Sequence, residues 1–125
     1  MAAVQKASKS SRSRPQIRIM FRKAIVVGPE KADLLKAIAE TGSISAAARQ
    51  MDMSYRRAWL LVDTMNQCFR TPLVETATGG SRGGGARVTE FGMDILERYQ
   101  RMEAKATASV ARELEDFADL MVEPR

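Results

Sequence analysis

Three consecutive residues, Tyr55-Arg56-Arg57, stand directly after Ser54, whose hydroxyl can cap a helix. An arginine there can give two parallel hydrogen bonds to a guanine edge or clamp a phosphate, and the free N–H groups of a helix start can hold phosphate oxygens. Two further candidates lie downstream, Arg82 within a run of glycines and Arg87 just beyond it. Catalysis finds less material. The chain has no histidine, the commonest general base and metal ligand, and a single cysteine, Cys68. The acids Glu103, Glu113, Glu115, Asp116 and Asp119 are spread along one helical stretch rather than paired for acid–base work. No Cys/His/carboxylate group has metal-ligand spacing. The glycine run carries neither phosphate-binding pattern, G-x-x-x-x-G-K-[ST] or G-x-G-x-x-G. No catalytic residue, metal or cofactor is therefore expected, and the arginines point to a polyanionic partner.

The elements that must position them are legible as periodicity. A strand-like run, Ile17 to Phe21, continues less regularly to Val27 and stops at Gly28-Pro29, where the proline suits a first helical turn. Ala32, Leu34, Leu35, Ile38 and Ala39 make a helical stripe over Glu30 to Glu40, ended by Thr41-Gly42. Ser45 is expected to cap an alanine-rich second helix, residues 46 to about 51, and to offer its helix start to phosphate. Asp52-Met53 is a short connection. Ser54 opens a third helix reaching about Phe69, with Ala58, Leu61, Val62, Met65 and Phe69 facing inward. Its lone tryptophan, Trp59, reads as core or core edge rather than as a base-stacking group. Tyr55 is read either as packing on the sugar–phosphate wall or as a cover for the turn. Which arginine meets a base and which a phosphate is left open.

Leu73-Val74-Glu75-Thr76 and Ala86-Arg87-Val88 read as two short pairing strands around a loop that holds five of the eight glycines. A mobile tip carrying Arg82, with Arg87 on the return strand, suits a wing lying on DNA backbone or minor groove. Thr89 is expected to cap a last helix running to about Met121, roughly 45 Å long at 1.5 Å per residue. Its stripe of Ile95, Tyr99, Met102, Ala106, Val110, Leu114, Phe117 and Met121 is longer than a small domain can cover and reads as a dimerisation surface. The fold class expected is mainly α with a small β component, a winged helix-turn-helix with a long C-terminal dimerisation helix. Its parts are a disordered basic arm (1–15), the DNA-binding domain (16–88) and the dimerisation helix (89–125).

Charge is unevenly placed. The chain of 125 residues carries +5, but residues 1–28 hold seven Lys or Arg and no acid. The other 97 residues hold 13 bases and 15 acids, so the body is not uniformly basic. The arm either adds sequence-independent phosphate attraction or keeps the protein soluble. One cysteine excludes an internal disulfide, and Cys68, inside an apolar pattern, reads as a packed structural thiol in a reducing cytoplasm. No apolar run reaches membrane-spanning length, and the basic start lacks an apolar signal region, so a cytoplasmic protein is expected.

The strings "GSISAAAR…MSYRRAW" and "TGG…GGGARVT" resemble the N-terminal DNA-binding domain of ModE-type molybdate-dependent transcriptional regulators over about residues 17–100. More distantly, the helix-turn-helix is similar to that of LysR-type regulators. The resemblance implies a homodimeric winged helix-turn-helix repressor on a palindromic operator in double-stranded DNA. It implies that Tyr55, Arg56 and Arg57 read the major groove and that the Arg82 loop is the wing. Regulators of this family usually continue into small β domains that bind molybdate; here the sequence stops at Arg125, and direct molybdate binding is not expected. Two other readings stay open: a winged helix that docks on another protein, and a low-specificity architectural DNA binder.

Overall fold

The computed structural model describes residues 15–22, 24–77 and 85–122. The basic arm up to Arg14 and the glycine-rich tip with Arg82 lie outside the described residues. One unit spans Ile17–Gln100, and the chain from Arg101 onward belongs to a second. The first unit thus takes in the opening turns of the last long helix, past the boundary expected near residue 88.

The first apolar run is not one strand but a hairpin. Ile19–Phe21 (β1) pairs antiparallel with Ala24–Val27 (β2), Met20 opposite Ile25, with an irregularity between Ile19 and Met20. The chain turns at Arg22, φ 58°, a backbone state that glycine or asparagine normally signals. No such residue marks the turn, so the sequence concealed it.

Pro29–Thr41 (α1) starts with proline at its first turn and ends at Gly42, φ 72°, whose N–H returns to the Ile38 carbonyl at 2.8 Å. That left-handed cap suits glycine, which has no Cβ to clash. Leu34, Leu35 and Ile38 are almost completely buried, each worth about 1.5–3 kcal/mol in transfer from water. Lys31 is buried too, its Nζ donating to the Ile25 carbonyl at 2.6 Å and tying the hairpin to α1. Ile44–Gln50 (α2) and Tyr55–Cys68 (α3) follow, then Val74–Thr76 (β3) and Ala86–Val88 (β4), antiparallel with Glu75 opposite Arg87. The core joins α1, α2 and α3 to Val27, Leu73, Val74, Leu96 and Tyr99.

Glu90–Ser109 (α4) is the long C-terminal helix, and Thr89 caps it as expected, its Oγ1 accepting from the Gly92 N–H at 2.9 Å. The helix does not run unbroken to residue 121. Val110, at φ −118° and ψ 17°, leaves the helical basin, and Ala111–Ala118 (α5) is a separate segment. Cys68 also departs from expectation, being exposed. The buried positions of α3 are Ala58, Leu61, Val62 and Met65; Cys68 closes the helix outside that set, and Phe69, the extended residue after it, packs against the core. No helix among the described residues is long and apolar enough to cross a membrane.

Gly92 is the tightest point of the domain. A Cβ there would lie 2.3 Å from the Leu73 carbonyl oxygen and 2.8 Å from Val88 Cγ1. That carbonyl cannot retreat freely, because it accepts the Thr89 N–H at 2.9 Å. Gly92→Ala should therefore destabilise the fold by about 1–3 kcal/mol through overpacking, despite alanine's helix propensity advantage of about 1 kcal/mol. Denaturant unfolding of the two proteins checks it; an alanine variant as stable as the parent would refute the close contact.

Candidate nucleic-acid interface

The geometry of the interface begins with the turn between α2 and α3. α2 is capped by Ser43, not Ser45: the Ser43 Oγ accepts the Ala46 N–H at 3.0 Å. Ser45 lies inside the helix, exposed, and its Oγ accepts from Arg49 Nη1 at 3.1 Å. Both serines precede the alanines, and only backbone conformation, extended at Ser43, distinguishes them. At the other end the Met53 N–H reaches back to the Ala48 carbonyl at 2.9 Å and the Asp52 N–H to Arg49 at 3.1 Å. This is the paired-bond helix ending that requires a left-handed residue, and Asp52 supplies it with φ 58°.

Ser54 then caps α3, its Oγ accepting the Arg57 N–H at 3.0 Å. Ala47, Ala48 and Ala58 are at most 2% exposed, and α2 and α3 pack together through this region. With Leu61, Val62 and Met65 also buried, α3 is anchored along one side, and its opening turn is presented to solvent. Tyr55, Arg56 and Arg57 are all exposed there. The structure brings these three together as expected but gives the two arginines different surroundings. Arg57 forms a two-point ion pair with Glu30 of α1, Nη2 to Oε1 at 2.7 Å and Nε to Oε2 at 3.1 Å. The Arg56 side chain has no hydrogen bond or ion pair among the described residues.

Trp59 is exposed, not in the core, and meets Tyr55 edge to face with ring centroids 6.3 Å apart. Leu60 beside it is more exposed still. The outer face of α3 therefore combines a guanidinium, two aromatic rings and an aliphatic side chain.

The stem of the wing is fastened to this helix. Asn66 of α3 accepts from the Leu73 and Val74 N–H groups on Oδ1 at 2.8 and 3.2 Å, and its Nδ2 donates to the Val74 carbonyl at 3.0 Å. On the return strand the Ala86 N–H donates to the Gly42 carbonyl at 3.0 Å, joining β4 to the end of α1. Arg87, opposite Glu75, pairs with it at 2.6 Å. Arg82 lies outside the described residues. Asn66, Asp52, Glu30 and Glu75 were not singled out by sequence. Each acts through a partner distant in the chain or through backbone conformation, and neither leaves a periodic trace.

The residues of the C-terminal stripe fall into different environments. Tyr99 is 2% exposed and donates to the Ile17 carbonyl, so it is used within its own domain. Ile95 packs against the same core, and Leu96, absent from the expected stripe, is buried in it. The inward positions are Gly92, Leu96 and Tyr99, a face rotated from the one read by spacing. Further on, Ala106, Val110, Leu114 and Met121 are partly covered, whereas Met102 and Phe117 are exposed.

Comparison with known proteins follows the same outline. Residues 30–93 match the model of the bacterial regulatory helix-turn-helix protein, lysR family. The molybdenum-pterin-binding protein MopA of Rhodobacter capsulatus is 44% identical over 84 residues, covering 67% of this chain and 32% of that protein. MopB of the same organism is 41% identical over 99 residues, 79% of this chain and 35% of that one. The DNA-binding transcriptional dual regulator ModE of Escherichia coli K12 is 40% identical over 81 residues, 65% of this chain and 31% of that one. This chain thus spans about a third of the length of these relatives. Among solved structures, a chain of the CbnR_DBD-DNA complex superposes with a TM-score of 0.52 at 24% identity, covering 67% of this chain and 91% of that one.

Proposed function

Because the chain belongs to the lysR family of bacterial regulatory helix-turn-helix proteins, we propose that it is a transcriptional regulator binding a specific sequence in double-stranded DNA, with α3 in the major groove. One observation carries the reading. The Ser54-capped start of α3 projects Tyr55, Arg56 and Arg57 into solvent while Ala58, Leu61, Val62 and Met65 fix the helix from behind. A groove-reading helix needs this division, with long donors at its N-terminal end and an apolar rear. In this reading Arg82 and Arg87 belong to a wing on the DNA backbone, and Ser45, exposed on α2, lies at its edge. The curated relatives include a DNA-binding regulator. The fold and the family are those of a regulatory domain, not of an enzyme.

The finer reading is a homodimer on a palindromic operator, acting as a repressor. One domain offers one reading helix, and a dimer places two of them about 34–36 Å apart, one DNA turn. The C-terminal segment supplies a surface for pairing: Phe117 is 61% exposed and Leu120 81%, with Met102 exposed on α4. Apolar groups left in water at this density favour association. The repressor's role rests on the family resemblance alone.

Selection of bound fragments from random DNA tests the central reading. A recovered palindrome supports it; retention without enrichment indicates an architectural binder, and no retention indicates a protein-docking module. On the recovered site Arg56→Ala should cost about 1–3 kcal/mol of binding while leaving the circular dichroism spectrum unchanged. Equal affinities of parent and variant in gel-shift titration would remove Arg56 from the interface. For the dimer, Phe117→Glu with Leu120→Glu should convert a dimer in sedimentation into a folded monomer. Losing the second half-site should weaken operator binding by roughly 100-fold or more. A monomeric parent, or a double variant that stays dimeric, places the interface elsewhere.

A further inference from the structure

We propose that Glu30 is a positioning residue for DNA recognition, acting through Arg57; the inference rests on the reading of α3 as the major-groove helix. Glu30 and Arg57 are 27 positions apart and meet only because the first turns of α1 and α3 lie side by side. The pair is side-on: the carboxylate takes the Nε–H and one Nη2–H of the guanidinium. That geometry leaves the end-on fork, one hydrogen on each terminal nitrogen, unspent. It is the same planar fork that matches a phosphate or the O6/N7 edge of guanine. Glu30 thus holds the arginine without consuming the donors that recognition uses.

Both ends of Arg57 are fixed. Its backbone N–H is bound by the Ser54 Oγ and its guanidinium by Glu30. The support under Glu30 is itself rigid, since the neighbouring Lys31 is buried with its ammonium on the Ile25 carbonyl. An unheld arginine must surrender most of its rotamer freedom on binding, whereas one already clamped surrenders little. The cost is electrostatic: a carboxylate close to DNA repels phosphate. The side chains are about half exposed, 51% for Arg57 and 45% for Glu30, so solvent screens that repulsion. The two adjacent arginines accordingly divide the work, Arg57 held in one place and Arg56 adaptable.

The opposed effects give the test its sign. Removing an acid beside a polyanion should tighten all DNA binding if charge is all that Glu30 contributes. If it positions Arg57, specific binding should fall while non-specific binding does not. The parent chain, Glu30→Ala, Glu30→Gln, Arg57→Ala and the Glu30→Ala/Arg57→Ala double variant are titrated against the selected duplex and a random duplex at one salt concentration. Thermal melting runs alongside. Glu30→Ala should lose about tenfold on the selected duplex and bind the random duplex as tightly or more tightly. Glu30→Gln, which keeps one acceptor, should fall between, and Glu30→Ala should have no further effect once Arg57 is gone. Tighter binding to both duplexes overturns the proposal, as does an equal loss in the Arg57→Ala background. A lowered melting temperature with equal losses on both duplexes overturns it as well, leaving a structural pair. An enriched site whose affinity ignores Glu30 overturns this inference alone; a parent that enriches no site overturns the reading of α3 and this inference with it.

Discussion

The direction in which α3 leaves the domain is set by a contact built from methyl groups. Ala47, Ala48 and Ala58 are buried at the packing of α2 on α3, and a larger side chain at any of them would force the helices apart or strain them. Shallow helix surfaces alone would allow sliding. The turn removes that freedom, because the left-handed Asp52 and the two backward hydrogen bonds from Asp52 and Met53 fix where α2 ends. Ser54 then fixes where α3 begins. The orientation of Tyr55, Arg56 and Arg57 follows from these three constraints before any partner is considered.

The wing stem depends on the same helix from its other end. Asn66 satisfies three backbone groups at the start of β3, and Thr89 bonds the Leu73 carbonyl while capping α4. Gly92 lets α4 close onto that carbonyl. A short two-stranded sheet is marginal in water by itself, so the stem owes its place to polar bonds from helices on either side. The bond from Ala86 to Gly42 adds a third fixed point on α1. α3 and the wing stem are thus parts of one braced assembly and not a domain with a loose hairpin attached.

The sequence revealed elements whose side chains repeat and missed those that depend on single backbone states or distant partners. The Ser54 cap, the buried face of α3, the β3–β4 pair and the Thr89 cap each follow from local chemistry, and each is present. The β1–β2 hairpin was hidden because Arg22, not glycine, takes the left-handed turn. Ser43 and Ser45 are equivalent as letters and differ only in dihedral angles. Tyr99 fits an outward stripe by spacing, yet Ile17, 82 residues away, accepts its hydroxyl proton. Trp59 was expected in the core or at its edge because a groove-reading helix seldom carries a bulky ring one turn in; on α3 the inward positions are already filled by Leu61, Val62 and Met65, leaving it outside with Tyr55.

The placement of charge separates two contributions that a basic domain would merge. Beyond residue 28 the chain carries more acid than base, and Arg57, Arg87 and Arg98 each have a carboxylate partner. Exposed pairs of this kind contribute little stability, about 0–1 kcal/mol each, so their main effect is on the field outside the protein. They shorten its reach by setting an opposite charge within a few ångströms of each cation, well inside the screening length of about 8 Å at physiological salt. The excess of positive charge is then concentrated in residues 1–28, from the start of the chain through β1 and β2, where seven bases meet no acid. In the proposed reading, discrimination falls to donors whose positions are fixed by Ser54, Asp52 and Glu30. On that reading, weak background attraction and fixed donors act in the same direction: both would keep affinity for arbitrary sequence low, and the ratio of right site to wrong site, the quantity a regulator needs, would be set by the geometry of one helical turn.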